Sequence, residues 1–528
     1  MSAGLITLGS RRRRGSSEVP GALLAALLAG ALAVGAIVLG WRGSDLPAQL
    51  FRVELFRRYG FVLWNSQWFG GTPTLDYSVV SPALAAALSP MGLAAVSGAC
   101  SAFLFHLLTR RAFGTSARFA SLWFATSTVT NLAVGRVTFG LGVTFALGAV
   151  LALQRHRPIV GALCGVLCAL ASPVAALFLA VAAVAWGCAR RTERVAAWSI
   201  AVCAVAPIAV ISLLFPSPGA QPYPLWDFAC DLFVCGLVLF MVPKRFAALR
   251  WGAAIYGLVV IGAFFVATPL GGNVSRLNQY AAGPLLAAVL WDKRRALVFA
   301  LAVPMLLWQW IPAVDSIAFA HADPSTSRAY YAPLLHVLDE MPHGFGRLEI
   351  AATYRHWESA YVAPEYALAR GWERQLDHAY AARFYDGTLT ASSYRRWLAA
   401  NGVEYVALPD TQLDPSSKVE AQLLAHGLSY LTPVWHDAHW RLWKVDGFHG
   451  LVDGPGKLVS MGPDRFTVHV SGPGTVTVRI HASPHWAIDG SGCTTSTADG
   501  WIQLHGLPRG DVDVTQAMRG TPCDVDSS

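Results

Sequence analysis

Between the first two apolar runs, the segment from Arg42 to about Pro90 carries Arg42, Arg52, Arg57 and Arg58 together with Asp45 and Asp76. Guanidiniums at the edge of a membrane are compensated either by anionic lipid headgroups or by a lipid-linked phosphate, which an arginine grips with two parallel hydrogen bonds. Two further cations stand at ends of apolar runs: Arg136, near Asn131, and Arg276, within Gly271-Gly272-Asn273-Val274-Ser275-Arg276-Leu277-Asn278. Either could bind a phosphate, and the polar, Gly-rich approach favours Arg276; the plainer reading of both is snorkelling to headgroups. Asp227 and Asp231 lie one helical turn apart on one face, where they could line a cavity or bind a cation, Asp227 otherwise being an interface residue. Taken alone, Asp45 reads as a helix cap and Asp76 as a turn aspartate.

The elements that position these residues are set by segregated hydropathy. Of 528 residues 54% are hydrophobic and 14% charged, against roughly 25% charged in soluble domains. Long apolar runs end before Asp315, so the chain divides into a membrane part and a polar part. Spans of roughly 20 residues are expected near 20–41, 90–109, 117–134, 138–154, 158–171, 174–188, 195–215, 226–243, 249–269, 279–291 and 295–313, which predicts a polytopic α-helical membrane protein of about eleven transmembrane helices. The first run is long for a signal peptide and is expected to stay as an anchor behind a basic N-terminus, residues 1–18. Ser172-Pro173 divides the apolar stretch 158–188 either as a hairpin or as a kink. The hairpin alone leaves Arg110-Arg111, Arg155-His156-Arg157, Arg190-Arg191, Lys244-Arg245 and Lys293-Arg294-Arg295 on the same side as Arg11–Arg14, as the positive-inside rule requires. The N-terminus is then cytoplasmic and the region after residue 313 extracytoplasmic, in a multi-pass plasma-membrane protein. The net charge of +8 is spread over these clusters, which excludes a nucleic-acid stripe.

Within the loop 42–90, Leu46, Leu50, Phe51, Val53 and Phe56 alternate with polar residues between Pro47 and Gly60, predicting a short amphipathic helix in the membrane interface. Trp64 and Trp68 follow as expected headgroup-level aromatics, and a second interfacial helix is expected from Pro82 to Leu88. In the polar part, helical patterns at Arg328–Met341, Ser392–Ala400 and Lys418–His426 alternate with strand-like runs at Arg347–Ala351 and Val403–Leu408, an α/β domain over 314–450. Alternating runs at Arg465–Val470, Thr475–Ile480, Trp501–Leu504 and Asp511–Val514 predict a β-sandwich over 451–528. Its two cysteines, Cys493 and Cys523, are an even pair suited to one disulfide in an oxidising compartment. The dense runs Trp357–Tyr361 and Arg370–Gln375 serve either sugar recognition or packing against the membrane face.

An acidic residue just after the first span, a structured loop with interfacial helices, many spans and a C-terminal extracytoplasmic α/β domain together resemble the GT-C superfamily of membrane glycosyltransferases. The corresponding residues are Gly43-Ser44-Asp45-Leu46-Pro47 and Trp68-Phe69-Gly70-Gly71-Thr72-Pro73. The resemblance implies sugar transfer, with inversion, from a polyprenyl-phosphate donor to a cell-envelope glycan acceptor. It makes Asp45 the catalytic candidate, accepting the proton of the attacking hydroxyl. Arg52, Arg57, Arg58, Arg136 and Arg276 are then the candidate phosphate ligands, and Asp76, Asp227, Asp231 and Trp68 the candidate lining of the acceptor cavity. Asp76 is also where a divalent cation, Mg or Mn, could bind; the loop lacks the paired carboxylates of many relatives, and metal use stays open. Other readings of the same architecture are a transporter or flippase of lipid-linked precursors and a non-catalytic envelope scaffold. No Walker loop, zinc-type spacing or nucleophile elbow is present.

Overall fold

The structure, a computed structural model, describes residues 18–75, 77–341 and 344–523; the basic stretch Arg11–Arg14 and Asp76 lie outside the described residues. The chain forms two compact units, one of residues 1–46, 76–214 and 220–320, the other of 47–75, 215–219 and 321–528.

The first unit is helical. Its helices are α1 (Glu18–Val38), α3 (Ser81–Leu88), α4 (Pro90–Phe113), α5 (Ala117–Val134), α6 (Val137–Gln154), α7 (Pro158–Ala171), α8 (Pro173–Ala189), α9 (Arg194–Leu214), α10 (Leu225–Met241), α11 (Ala247–Phe265), α12 (Gly283–Leu290) and α13 (Arg295–Ala322); α2 (Leu46–Tyr59) belongs to the second unit from Pro47 onward. All eleven apolar segments are helical over most of their length. Among the described residues, six stretches are long and apolar enough to cross a membrane: Val19–Val38, Pro90–Val134, Val137–Gln154, Arg191–Leu214, Lys244–Phe265 and Arg295–Ala322. Helices α7 and α8 are shorter apolar helices. The segment expected at 279–291 opens as a π-helical turn, Asn278–Ala282, before α12.

Local chemistry places the breaks. Ser89 accepts a hydrogen bond from Gly92 N at the start of α4, and Ser172 accepts one from Ala175 N at the start of α8, with Pro173 in its first turn. Ser172 has φ −159° and ψ 113°, so α7 and α8 are separate helices. Gly142, near the start of α6, lies against Ser172 and Ala175, so the α7–α8 junction returns to the end of the bundle where α6 begins. The hairpin reading therefore holds over the kink. Fully buried alanines, among them Ala25, Ala102 and Ala120, let helices approach closely, and Phe105 stacks on Phe124 at 4.1 Å.

The second unit holds a four-stranded sheet in the order 347–350, 403–409, 440–445, 431–436, whose first pair is parallel and whose others are antiparallel. Val403–Pro409 is buried throughout, with Trp397, Leu398 and Tyr394 of the helix Ala391–Ala400 in the same core. Two antiparallel four-stranded sheets follow, formed by the strands from Val452 to Gln516, and enclose Phe466, Val468, Val478, Trp486, Ile502 and Val514. The predicted disulfide Cys493–Cys523 is formed.

Two expectations about the first loop are corrected. Trp64 and Trp68 are buried inside protein: Trp64 belongs to the β-sandwich core, 5.9 Å from Trp486, and Trp68 stacks on Phe51 of α2 at 4.2 Å. Helix α2 exists as predicted, but Phe51, Val53 and Leu55 are covered by protein, so its apolar face is not a lipid-facing one. Tryptophan and an amphipathic stripe suit a core as well as an interface, and Ser66 N and Oγ donate to Pro463 O, which holds this loop on the sandwich.

Candidate functional site

The polar centre of the first unit is built around Asp45. Gly43 lies against the last carbonyls of α5, and a Cβ there would meet Val134 C at 2.1 Å. Gly135, at φ +88°, ends α5 and lies close to Leu46 N, at 2.5 Å from the place of a Cβ. Asp45 N donates to Val134 O at 2.9 Å, so the turn after α1 is clamped on the C-terminus of α5. Arg136 is the next residue after Gly135 and precedes α6; its carbonyl accepts from Asn131 Nδ2 at 3.1 Å. Arg276 follows the 3-10 turn Gly271–Ser275 and lies 5.7 Å over the ring of Phe139.

These placements bring both cations to one carboxylate. Asp45 Oδ2 is 3.4 Å from an Arg276 terminal nitrogen and 3.8 Å from Arg136 Nε, and Ser44 Oγ donates to Asp45 Oδ1 at 3.1 Å. All three charged side chains are about four-fifths or more buried, and Asp227 is a second carboxylate whose charge acts on Arg136. Burial and the neighbouring Arg276 pull the Arg136 guanidinium down to about 10, with Asp45 acting in the opposite direction. Nε of Arg136 and Nε of Arg276 make no hydrogen bond among the described residues. Both arginines line a small cleft with Asn131, Phe139, Gln279 and Gln309. Gln309 anchors that wall, donating to Ser127 Oγ at 2.5 Å and Gln279 O at 2.8 Å while accepting from Trp123 Nε1 at 3.2 Å.

Sequence reading passed over Gln309 and Ser127. An amide between Trp308 and Trp310 in an otherwise apolar run was the available signal.

The remaining candidates divide. Asp231 is fully buried and already satisfied, accepting from Tyr223 Oη at 2.7 Å, Ser275 Oγ at 2.5 Å and Asn278 Nδ2 at 2.8 Å. It latches α10 to the segment that carries Arg276, so it positions rather than lines. Asp227 is half-buried one turn earlier.

In the second unit, two loop arginines, Arg52 and Arg58, have carboxylate partners. Arg52 pairs with Glu373, both nearly buried, and Arg58 is bound by Glu54 at 2.7 Å and Glu365 at 2.6 Å. The bond to Arg58 holds the Glu365 carboxyl below its usual range. The compensation expected from headgroups or phosphate is thus supplied to Arg52 and Arg58 by this unit's own acids. Arg57 is exposed on α2.

Arg370–Gln375 is internal. Arg370 binds Asp377 through two nitrogens, at 2.8 and 2.5 Å, together with Ser416 Oγ and Ser417 Oγ; Arg374 binds Asp414 at 3.1 and 2.6 Å. His356 lies 3.4 Å from both Glu358 and Asp414. Burial opposes its charge, yet these two carboxylates push the imidazole up to about 9. Burial and Glu420 together push the Glu349 carboxyl well above its ordinary value. Trp357 is buried and stacks on Tyr361 at 5.5 Å, so that run packs within the unit.

Among the described residues no group of three or more His, Cys, Asp or Glu is placed to hold a metal ion. No protein-family model matches the chain, and a search of curated proteins finds no match either.

Proposed function

We propose that this chain is a membrane glycosyltransferase of the GT-C kind, transferring a sugar from a polyprenyl-phosphate donor to a cell-envelope acceptor with inversion. The observation that carries this reading is the enclosure of Asp45 by Arg136 and Arg276, three residues distant in sequence, beside a cleft that both arginines line. Two guanidiniums share the one carboxylate they contact, and the Nε of each makes no hydrogen bond among the described residues, which suits a phosphate arriving from the lipid side. A phosphate taken up by the arginines competes for the hydrogen bonds that now hold Asp45, and releases its carboxylate for proton transfer.

In the step itself, the acceptor hydroxyl oxygen attacks the anomeric carbon and its proton passes to a carboxylate oxygen of Asp45. The bond from the anomeric carbon to the phosphate oxygen breaks on the opposite face, and its electron pair stays on the phosphate held by Arg136 and Arg276. The topology that suits this chemistry has eleven crossings, a cytoplasmic N-terminus and an extracytoplasmic second unit. The disulfide Cys493–Cys523 supports an oxidising compartment for that unit.

The test is binding of a polyprenyl monophosphate to the purified full chain in detergent. Arg136→Gln and Arg276→Gln each weaken binding by about tenfold or more, the effect of losing a charge-assisted hydrogen bond. Arg155→Gln, at the end of α6 away from Arg136, leaves it unchanged. Equal affinity across all four proteins rejects the phosphate site.

A further inference from the structure

The first unit contains a second cavity, of about 600 Å³, to which the transfer step above assigns no role. Along α6 its wall runs from Phe139 to Gln154, about 22 Å at 1.5 Å per residue. That is longer than half of the roughly 30 Å hydrocarbon core of a bilayer. The wall is mostly apolar, formed by side chains such as Val143, Ala146, Phe178 and Ala182, with Thr109, Tyr256, Asn278 and Tyr280 among its polar members. Its charged residues are all arginines, Arg111, Arg190 and Arg245, and they gather at one end. Helix α6 starts beside Arg136 and ends before His156, another wall residue, so this arginine mouth lies at the end of the bundle opposite the Asp45 cluster.

The mouth is assembled from four helix ends. Gln154 Nε2 donates to Leu108 O at 3.3 Å, and Phe113 packs on Phe246 at 4.9 Å, which brings the ends of α4 and α6 and the start of α11 together. Arg190, just after α8, lies 4.6 Å over the ring of Trp186 and pairs with Glu193 at 3.3 Å; Arg245 lies 4.8 Å over Phe246. All three guanidiniums are exposed.

From this geometry we infer a binding site for an anionic glycerophospholipid, its phosphate held at Arg111, Arg190 and Arg245 and one acyl chain lying in the cavity. Basic mouths on apolar clefts between membrane helices select anionic headgroups. A free phosphate has no use for 22 Å of apolar wall, and a zwitterionic lipid gains little from three cations. None of its arginines lies near Asp45; at its far end Phe139 and Tyr280 line both this cavity and the cleft beside Arg136 and Arg276.

Quantitative mass spectrometry of lipids co-purifying with the full chain in detergent tests it. The wild type retains about one anionic glycerophospholipid per chain, and Arg111→Gln/Arg190→Gln/Arg245→Gln loses about tenfold or more of it. Arg155→Gln/Arg157→Gln, which removes charge at the same end but off the wall, retains it. Ala146→Phe/Ala182→Phe, which fills the cavity and keeps the arginines, loses it. Delipidated wild type takes up lipid from vesicles of anionic phosphatidylglycerol and not from vesicles of phosphatidylcholine, a comparison that needs no variant to fold. Equal uptake from both vesicles, equal retention in the triple variant, or an isoprenoid phosphate as the retained lipid overturns the proposal.

Discussion

His356 makes the stability of the second unit depend on pH in a direction that can be worked out in advance. Its imidazole is buried between Glu358 and Asp414 and titrates at about 9, against an ordinary 6.5. A folded pKa above the unfolded one means stability that is fully present below about pH 6.5 and is lost as pH rises through about 9. The difference of about 2.5 units, at about 1.4 kcal/mol per unit, amounts to roughly 3 kcal/mol. His356→Gln keeps a polar side chain in the same place and removes the titration. Urea midpoints followed by proteolysis of the second unit, on the full chain in detergent at pH 6, 7.5 and 9, supply the comparison. Glu349 and Glu420, whose carboxyls are also raised, add a loss with rising pH that both proteins share. The difference between the two proteins therefore isolates His356: the wild type falls by about 3 kcal/mol more than the variant between pH 6 and 9. Parallel profiles would refute a charged His356.

The Arg52–Glu373 pair, nearly buried, predicts that Glu373→Ala destabilises the second unit by about 3–5 kcal/mol, because Arg52 is left charged and enclosed. Arg52→Met/Glu373→Met recovers most of that loss, as chemical denaturation of both variants would measure. Reduction of Cys493–Cys523, which closes a loop of 30 residues in sequence separation, lowers the stability of the sandwich by about 3–4 kcal/mol and leaves the helical unit unaffected. Hydrogen exchange before and after reduction separates the two.

Hydropathy was enough to locate the helices, since the eleven apolar runs and the helices agree to within a few residues at most ends. Where they part, the reason is physical. Helix α13 continues to Ala322 through Asp315 and His321, because a helix does not need to stop where its apolar stretch does. Ser172-Pro173 was legible because a cap and a first-turn proline act locally. Trp64 and Trp68 were misread because an aromatic ring is equally at home at headgroups and in a core, and only pairing with residues near 463 and 486 decides. The site shows the same division. Asp45, Arg136 and Arg276 were each visible as charges at the ends of apolar runs. That Gly43 and Gly135 pack so closely that the three charges meet depends on contacts no local pattern encodes. The run Arg370–Gln375 stood out as dense in charge and aromatics, but its pairing with His356, Asp377 and Asp414 inside the unit depends on burial and contacts that no local pattern encodes.

The most direct test of the central claim is sugar transfer by Asp45→Asn in purified form, with a polyprenyl-phosphate sugar as donor and an envelope-glycan fragment as acceptor. Asparagine keeps the shape of the side chain and removes the proton acceptor. Loss of transfer by about 10²–10⁴-fold, with polyprenyl monophosphate still bound, is the expected result. Transfer at the wild-type rate, in a variant that folds and binds, would contradict the role of Asp45.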